Sequence, residues 1–304
     1  LLSSHYFHAR ECRGNEGAVL GAIDSRVIKP SRGEWVVIEA YSEHWAVVTG
    51  ASSGIGAEFA RRLAARGMHL VLTARRKDLL EELAEELHTR HGTRCEVIDC
   101  DLSEAAAPQK LFDEVKKRNL DIELLINNAG FGWVCEVKDV EPNHIRALNE
   151  LNIQALTELT YLFLPEMVER KHGGIINVAS VAAFQPVAYM GAYAAGKAYV
   201  LHFSEALWAE VRKKGVTVMA LCPGTTETEF FDVAGVPGWL KKQKSQTAGK
   251  VVREALKGLE KGKQFVVPGW HNSLLTKLVR IASRKTVVKE SMKYFRPSSK
   301  KKSK

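Results

Sequence analysis

The sequence predicts an α/β fold, a doubly wound parallel sheet of seven strands with helices on both faces, and three observations carry that expectation. From Trp45 to about Pro268, short β-like runs alternate with longer amphipathic stretches, the pattern of strands joined by helical crossovers. The strand cores are near-continuous apolar runs, as in Val216-Thr-Val-Met-Ala-Leu-Cys222, which suits strands buried on both faces. With 304 residues, 45% of them hydrophobic, the chain can bury one large core.

Taken in order, strands are expected at 45–49, 69–74, 94–100, 123–127, 174–179, 216–222 and 264–267. Helices are expected at 55–66, 77–91, 105–118, 142–169, 193–213 and 247–260, with Gly67 and Gly215 as helix stops. These elements make residues 45–268 one domain. Residues 1–44 show no clear period and are expected to be an appended, processed or loosely ordered N-terminal extension. Residues 269–304 are predicted to form a basic amphipathic helix and tail: Leu274, Leu275, Leu278, Ile281 and Ala282 share one helical face, and Lys277, Arg280, Arg284 and Lys285 lie mostly elsewhere. That face fits packing against the domain or a sister subunit, contact with a membrane surface, or contact with an acyl carrier.

The net charge of +9 suggests nucleic acid until it is located. Residues 263–304 hold 12 of the 44 Lys and Arg but one of the 35 acids, so the rest of the chain is slightly acidic and a polyanion-binding body is not expected. Five cysteines, Cys12, Cys95, Cys100, Cys135 and Cys222, are odd in number and include no C-x-x-C pair. They indicate neither a disulfide framework nor a zinc knuckle, and a reducing, cytoplasmic setting is the expectation. There is no apolar run of membrane-spanning length, and no continuous apolar stretch of a secretory signal in the first 44 residues. The ten histidines form no H-E-x-x-H or comparable cluster, so no metal is expected.

Thr49-Gly50-Ala51-Ser52-Ser53-Gly54-Ile55-Gly56 links the first strand to the first helix. Glycines there permit a tight turn and close approach of backbone to a pyrophosphate, with a helix N-terminus facing the anion, as in Rossmann-type nucleotide sites. The spacing, G-x-x-x-G-x-G, departs from the G-x-G-x-x-G of many two-domain dehydrogenases. The second strand ends at Ala74-Arg75-Arg76, without the acid that would bind an NAD ribose 2′-hydroxyl. Guanidinium groups at that point suit a 2′-phosphate, so NADP(H) is the expected cofactor, with Arg76 the more readily a solvated bystander. Asp101, followed by Leu102, suits two roles equally, an acceptor for an adenine amino group and a turn or helix cap.

With these residues in place, the sequence resembles the short-chain dehydrogenase/reductase family in its single-domain form. The likeness covers residues 45–230 and rests on Thr49 to Gly56, Asp101-Leu102, Asn127-Asn128-Ala129-Gly130, Asn152, Ser180, Tyr193-x-x-x-Lys197 and Pro223-Gly224 in that order. The resemblance implies that Tyr193 exchanges a proton with the substrate oxygen while hydride moves between nicotinamide and carbonyl carbon. Lowering a phenol from its usual pKa of about 10 toward 7 takes about 4 kcal/mol of preferential phenolate stabilisation. Lys197, one helical turn on, is placed to supply it and to bind the nicotinamide ribose. By the same resemblance Ser180 orients the substrate oxygen, Asn152 holds a water connecting Lys197 to solvent, and Asn127 to Gly130 closes the floor of the cofactor site. Pro223, Gly224 and Thr228 would contact the nicotinamide amide and phosphates. The resemblance also implies a homodimer or homotetramer, because long helices such as those expected at 142–169 and 193–213 form a four-helix interface in that family.

The substrate wall is expected from Phe131, Trp133, Phe184, Val187, Met190 and the 230–239 segment, with Gly235, Pro237 and Gly238 allowing that segment to act as a lid. An apolar wall predicts a hydrophobic carbonyl substrate, and the stretches around Trp45 and Arg66 resemble the branch of ketoacyl and hydroxysteroid reductases. Two rivals are a nucleotide-sugar epimerase, whose glycine spacing and sugar domain are missing, and a catalytically silent NADP-binding regulator or scaffold.

Overall fold

The computed structural model of the chain describes residues 41–242 and 244–296. Its strands are β1 (Trp45–Thr49), β2 (His69–Ala74), β3 (Cys95–Asp99), β4 (Ile122–Asn127), β5 (Gly173–Val178), β6 (Val216–Leu221) and β7 (Phe265–Val266). They form one seven-stranded sheet in the order 3-2-1-4-5-6-7, and every neighbouring pair is parallel. This is the doubly wound arrangement expected, and its strand order reverses between β1 and β4.

Side chains alternate across the sheet and feed two apolar cores. On one face Val48, Leu72, Leu124 and Ile126 pack against α1 (Gly54–Ala64), α2 (Lys77–His91) and α8 (Ala248–Glu260). On the other, Val47, Val71, Leu125 and Val218 pack against α3 (Ala107–Lys117), α5 (Leu156–Arg170) and α6 (Gly191–Val211). The continuous apolar strand sequences are therefore explained: β1, β2 and β4–β6 have no solvent face.

Beyond shifts of one or two residues at element ends, three departures from expectation stand out. The helix expected at 142–169 runs as α4 (Pro142–Asn149), a π-helical turn at Glu150–Ala155, and α5. The wider turn sets the buried Asn152 side chain toward Phe131, whose backbone it binds at both polar groups, Nδ2 donating to O at 2.8 Å and N donating to Oδ1 at 3.1 Å. At the N-terminal edge, Tyr41 already packs on the domain, its hydroxyl donating to Glu260 Oε1 at 2.9 Å and its ring lying under Arg66; residues 1–40 lie outside the described residues. The single C-terminal helix is replaced by two, α9 (Trp270–Ile281) and α10 (Arg284–Phe295). Ala282 is extended, and Ser283 caps α10 by accepting from Thr286 N at 3.2 Å, a start signal the apolar periodicity concealed. A short α7 (Phe230–Val233) was also not foreseen. Residues 297–304 of the expected tail lie outside the described residues.

Gly67 and Gly215 follow their helices with φ of +85° and +82°, as helix stops should. Gly215 is doubly constrained, because a Cβ there would sit 1.9 Å from the Lys171 carbonyl oxygen. Gly215→Ala is accordingly expected to lose more than about 1 kcal/mol of stability. Urea unfolding checks this, and an unchanged midpoint with unchanged slope would show that the close approach carries no energetic weight.

Candidate active site

The carboxyl ends of the strands open on a cavity of about 1010 Å³, at the upper limit of ordinary small-molecule sites. Its first arm is the loop from β1 into α1. Gly50 and Gly54 adopt φ of +65° and +58°, and a Cβ on Gly56 would meet the Gly50 carbonyl oxygen at 2.2 Å and Asn128 Nδ2 at 2.6 Å. Only hydrogen fits there, so Gly56 lies beneath the loop rather than in the cavity wall, which Gly50, Ser52, Ser53, Gly54 and Ile55 supply. Ser53 caps α1 without a side-chain hydrogen bond, and the first turn contains no acid. Its amides, orphaned by helix geometry, thus open on the cavity as an anion site.

At the end of β2 the two arginines separate. Arg76 is committed, its Nη2 lying 3.1 Å from Ser52 Oγ and 3.0 Å from Glu229 Oε2, and its hydrogen bond holds the Glu229 carboxyl below the usual range. Arg75 lines the cavity with 72% of its side chain exposed, and Asp101 is 4.0 Å away. Asp101 Oδ1 accepts from Ser103 N and Oγ, which makes it a turn residue rather than a cap of α3, whose N-cap is Ala106, while Asp101 and Leu102 still line the cavity. The floor is tied by Asn128, whose Nδ2 donates to the carbonyls of Thr49 and Gly50. Asn128, Ala129 and Gly130 line it, as do Pro223, Gly224 and Thr228.

The second arm holds Ser180, Tyr193 and Lys197. Ser180 follows β5, caps the short 3₁₀ turn Val181–Phe184 and accepts from Ala182 N at 3.1 Å. Tyr193 and Lys197 lie on α6, four residues apart and both buried, with Nζ 5.7 Å from the phenol ring centre. Nζ donates to the Val178 carbonyl at 2.7 Å. Asn152 stands behind Gly130, where a Cβ would come within 2.7 Å of its Oδ1 and 3.5 Å of Lys197 Nζ, and does not line the cavity.

Burial governs the electrostatics, and here the expectation of a depressed phenol is not met in this geometry. Desolvation pushes Tyr193 up to about 12 against the opposing hydrogen bond with Ser180, and lowers Lys197 to about 8. Both shifts disfavour charge in a site walled from water. The neutral phenol therefore keeps its proton, and the ammonium sits near its own midpoint.

The substrate chamber is apolar as expected, but its walls differ. Phe131, Val187, Met190, Phe230, Phe231 and Trp239 line it. Trp133 and Phe184 do not: Trp133 packs on His144 at 4.1 Å and Phe184 on Phe265 at 5.9 Å. The missing wall comes from the C-terminal helices, through Leu275, Leu278, Val279, Ala282, Val287 and Phe295. Their contribution was hidden because a helical period shows that a face is apolar and not what it meets. Among the described residues no cluster of three or more His, Cys, Asp or Glu could hold a metal, and Cys95, Cys100, Cys135 and Cys222 are free thiols.

Comparison with known proteins agrees with this geometry. The profile of the short chain dehydrogenase family matches residues 44–235. The human very-long-chain 3-oxoacyl-CoA reductase is 36% identical over 196 residues, 62% of this chain and 61% of that protein; the chain thus spans under two thirds of the length of such reductases. Mouse 17-beta-hydroxysteroid dehydrogenase type 3 is 30% identical over 79% of this chain and 77% of its own. Among solved structures, a short-chain dehydrogenase from Sphingobium yanoikuyae in complex with NADPH superposes with a TM-score of 0.73 at 31% identity, covering 84% of this chain and 98% of that one.

The Lys197 shift has a thermodynamic consequence. Its proton is bound more weakly in the folded than in the unfolded chain, so its burial cost is full below about pH 8 and fades as pH rises toward 10.5. Lys197→Met is expected to be more stable than the wild type near pH 7, by up to about 3 kcal/mol, with the gap narrowing between pH 8 and 10.5. Unfolding midpoints across that range check the sign, and a gap that widens with pH would contradict it.

Proposed function

The chain belongs to the short-chain dehydrogenase family, and from that premise we propose that it is an NADPH-dependent reductase of a lipophilic ketone. The observation that carries this reading is the single cavity. It joins a glycine loop and the exposed Arg75 at one end to Ser180, the buried Tyr193 and Lys197, and an apolar chamber at the other. The glycine cradle and acid-free helix start fit a pyrophosphate, Arg75 fits a 2′-phosphate, and Lys197, Asn128, Ala129, Gly130, Pro223, Gly224 and Thr228 fit the nicotinamide half. Bound there, NADPH would supply hydride to the substrate carbonyl carbon.

The chain's own residues supply the rest. Ser180 holds the carbonyl oxygen beside the phenol. Tyr193, protonated because burial pushes it up to about 12, gives its proton to that oxygen as the alcohol forms. The ammonium of Lys197 then attracts the phenolate left behind, an attraction that acts strongly where water is scarce and offsets part of the desolvation cost of the charge. A proton donor charged with its proton at neutral pH suits reduction. Asn152 fixes the Phe131 backbone and, through Gly130, the space beside Nζ, so its part is positioning.

The apolar chamber and the likeness to a very-long-chain 3-oxoacyl-CoA reductase and a 17-beta-hydroxysteroid dehydrogenase support a ketoacyl or steroid-like ketone. Self-association through α5 and α6 is supported by an exposed aromatic patch, Tyr161 and Tyr199 packed about Phe203. No observation favours a catalytically silent scaffold.

Two experiments test this reading. Tyr193→Phe should lower ketone turnover by about 10²- to 10⁴-fold while NADPH binding persists; full turnover in the variant would remove the tyrosine from the chemistry. Arg75→Ala should weaken NADPH binding by about tenfold or more and leave NADH binding near its original level. Equal losses for both dinucleotides would mean that Arg75 does not read the 2′-phosphate.

A further inference from the structure

Helix α9 is built inside out. Two of its uncharged polar residues face the protein: Thr276 is 7% exposed, and Asn272 lies so close to Gly224 that a Cβ there would meet its Nδ2 at 2.4 Å. Its apolar stripe faces solvent, with Trp270 at 69%, Leu274 at 47% and Ile281 at 83% exposure. Leu275 and Leu278 border the stripe, are nearly half exposed, and also line the active-site cavity. They are its rim, and Val279, Ala282 and Val287 continue the apolar wall inward. The stripe and the substrate chamber are thus one unbroken apolar surface.

Cations flank it. Lys277, Arg280, Arg284, Lys285 and Lys289 are exposed and make no ion pair among the described residues, whereas Lys293 pairs with Glu290. The sequence adds Lys300, Lys301, Lys302 and Lys304 a few residues on. An apolar stripe bearing a tryptophan and edged by unpaired cations matches the boundary of an anionic lipid layer, where acyl chains and headgroups meet both halves of the surface at once. A second copy seated on this face by two-fold symmetry would set these cations against their own kind.

We propose that the α9–α10 face docks on anionic lipid, and that a lipophilic ketone passes from that layer into the cavity between Leu275 and Leu278. The entry route rests on the ketone-reductase reading above; the docking does not.

The test is sedimentation of the full chain with phosphatidylcholine vesicles, with and without phosphatidylglycerol, at low and high salt. The wild type should pellet with phosphatidylglycerol vesicles and be released by salt. Leu274→Ser/Ile281→Ser, at two positions that do not line the cavity, and Lys277→Glu/Arg280→Glu should each lower the bound fraction by about tenfold or more. Both should keep wild-type turnover of a short, water-soluble ketone, which certifies their fold. A wild type that stays in solution with both vesicle types, or a stripe variant that pellets like the wild type, overturns the docking. So does a stripe variant whose only change is a smaller oligomer by light scattering, since the face would then be a contact between copies. A wild type that turns over ketone but binds neither vesicle type refutes the docking alone; a wild type that binds vesicles but turns over no ketone refutes the functional reading alone.

Discussion

The seam between β1 and β4 is the constraint on which the site depends. Strand order reverses there, so the crossover helices leave in opposite directions and a cleft opens beyond the strand ends. A cleft needs its two lips held at a fixed separation, and Thr49 does this with one hydroxyl. Oγ1 donates to the Ile126 carbonyl at 3.2 Å and accepts from the amides of Asn128 and Ala129 at 2.9 and 3.0 Å. Asn128 returns the tie through the carbonyls of Thr49 and Gly50. With the lips this close, Gly50 and Gly56 have no room for a side chain. The loop from β1 into α1 is therefore glycine-rich for a packing reason as well as for the ligand-binding one proposed for it.

The same logic extends one strand further. Asn127 Nδ2 donates to Asn177 Oδ1 at 2.9 Å and lies within reach of Thr160, while Asn177 donates to Ser204 at 3.0 Å. Four buried polar side chains thus join β4, β5, α5 and α6 inside an otherwise apolar core. Apolar contacts alone tolerate sliding, whereas hydrogen bonds of this kind fix register. Register matters here because α6 carries Tyr193 and Lys197, and β5 leads into Ser180. A shift of a single residue would turn these side chains off the cavity they line.

Much of this was legible in the sequence because it depends on local patterns. The apolar runs of β4–β6 announce a sheet covered on both faces, and the order of Gly50, Asn128, Ser180 and Tyr193 along the chain places each at a strand end or helix start. What the sequence withheld depends on distant partners. The sequence marks Arg76 as the readier bystander but not as bound, and the approach of Ser52 and of Glu229, 153 residues on, commits it. Trp133 and Phe184 are as apolar as Phe131, yet His144 and Phe265 claim them. Asn177 carried no motif at all. The Tyr193 proton affinity is hidden for a related reason: spacing shows that an ammonium is near, but not the depth of burial, which here pushes the phenol up and the ammonium down.

The C-terminal helices show the limit of periodicity most clearly. A stripe of leucines at helical spacing ordinarily marks the face turned to the core, because burying it stabilises the fold by about 25 cal/mol per Å² of apolar area. Core volume, however, is finite, and α9 arrives after both faces of the sheet are already covered. It meets Gly224 and the strand ends instead, a polar neighbourhood of backbone and cofactor-site groups. Asn272 and Thr276 suit that neighbourhood, and Leu274 and Ile281 do not. The side of α9 that turns inward is thus set by the polar groups it meets there, and its apolar face is left outside the two cores of the sheet.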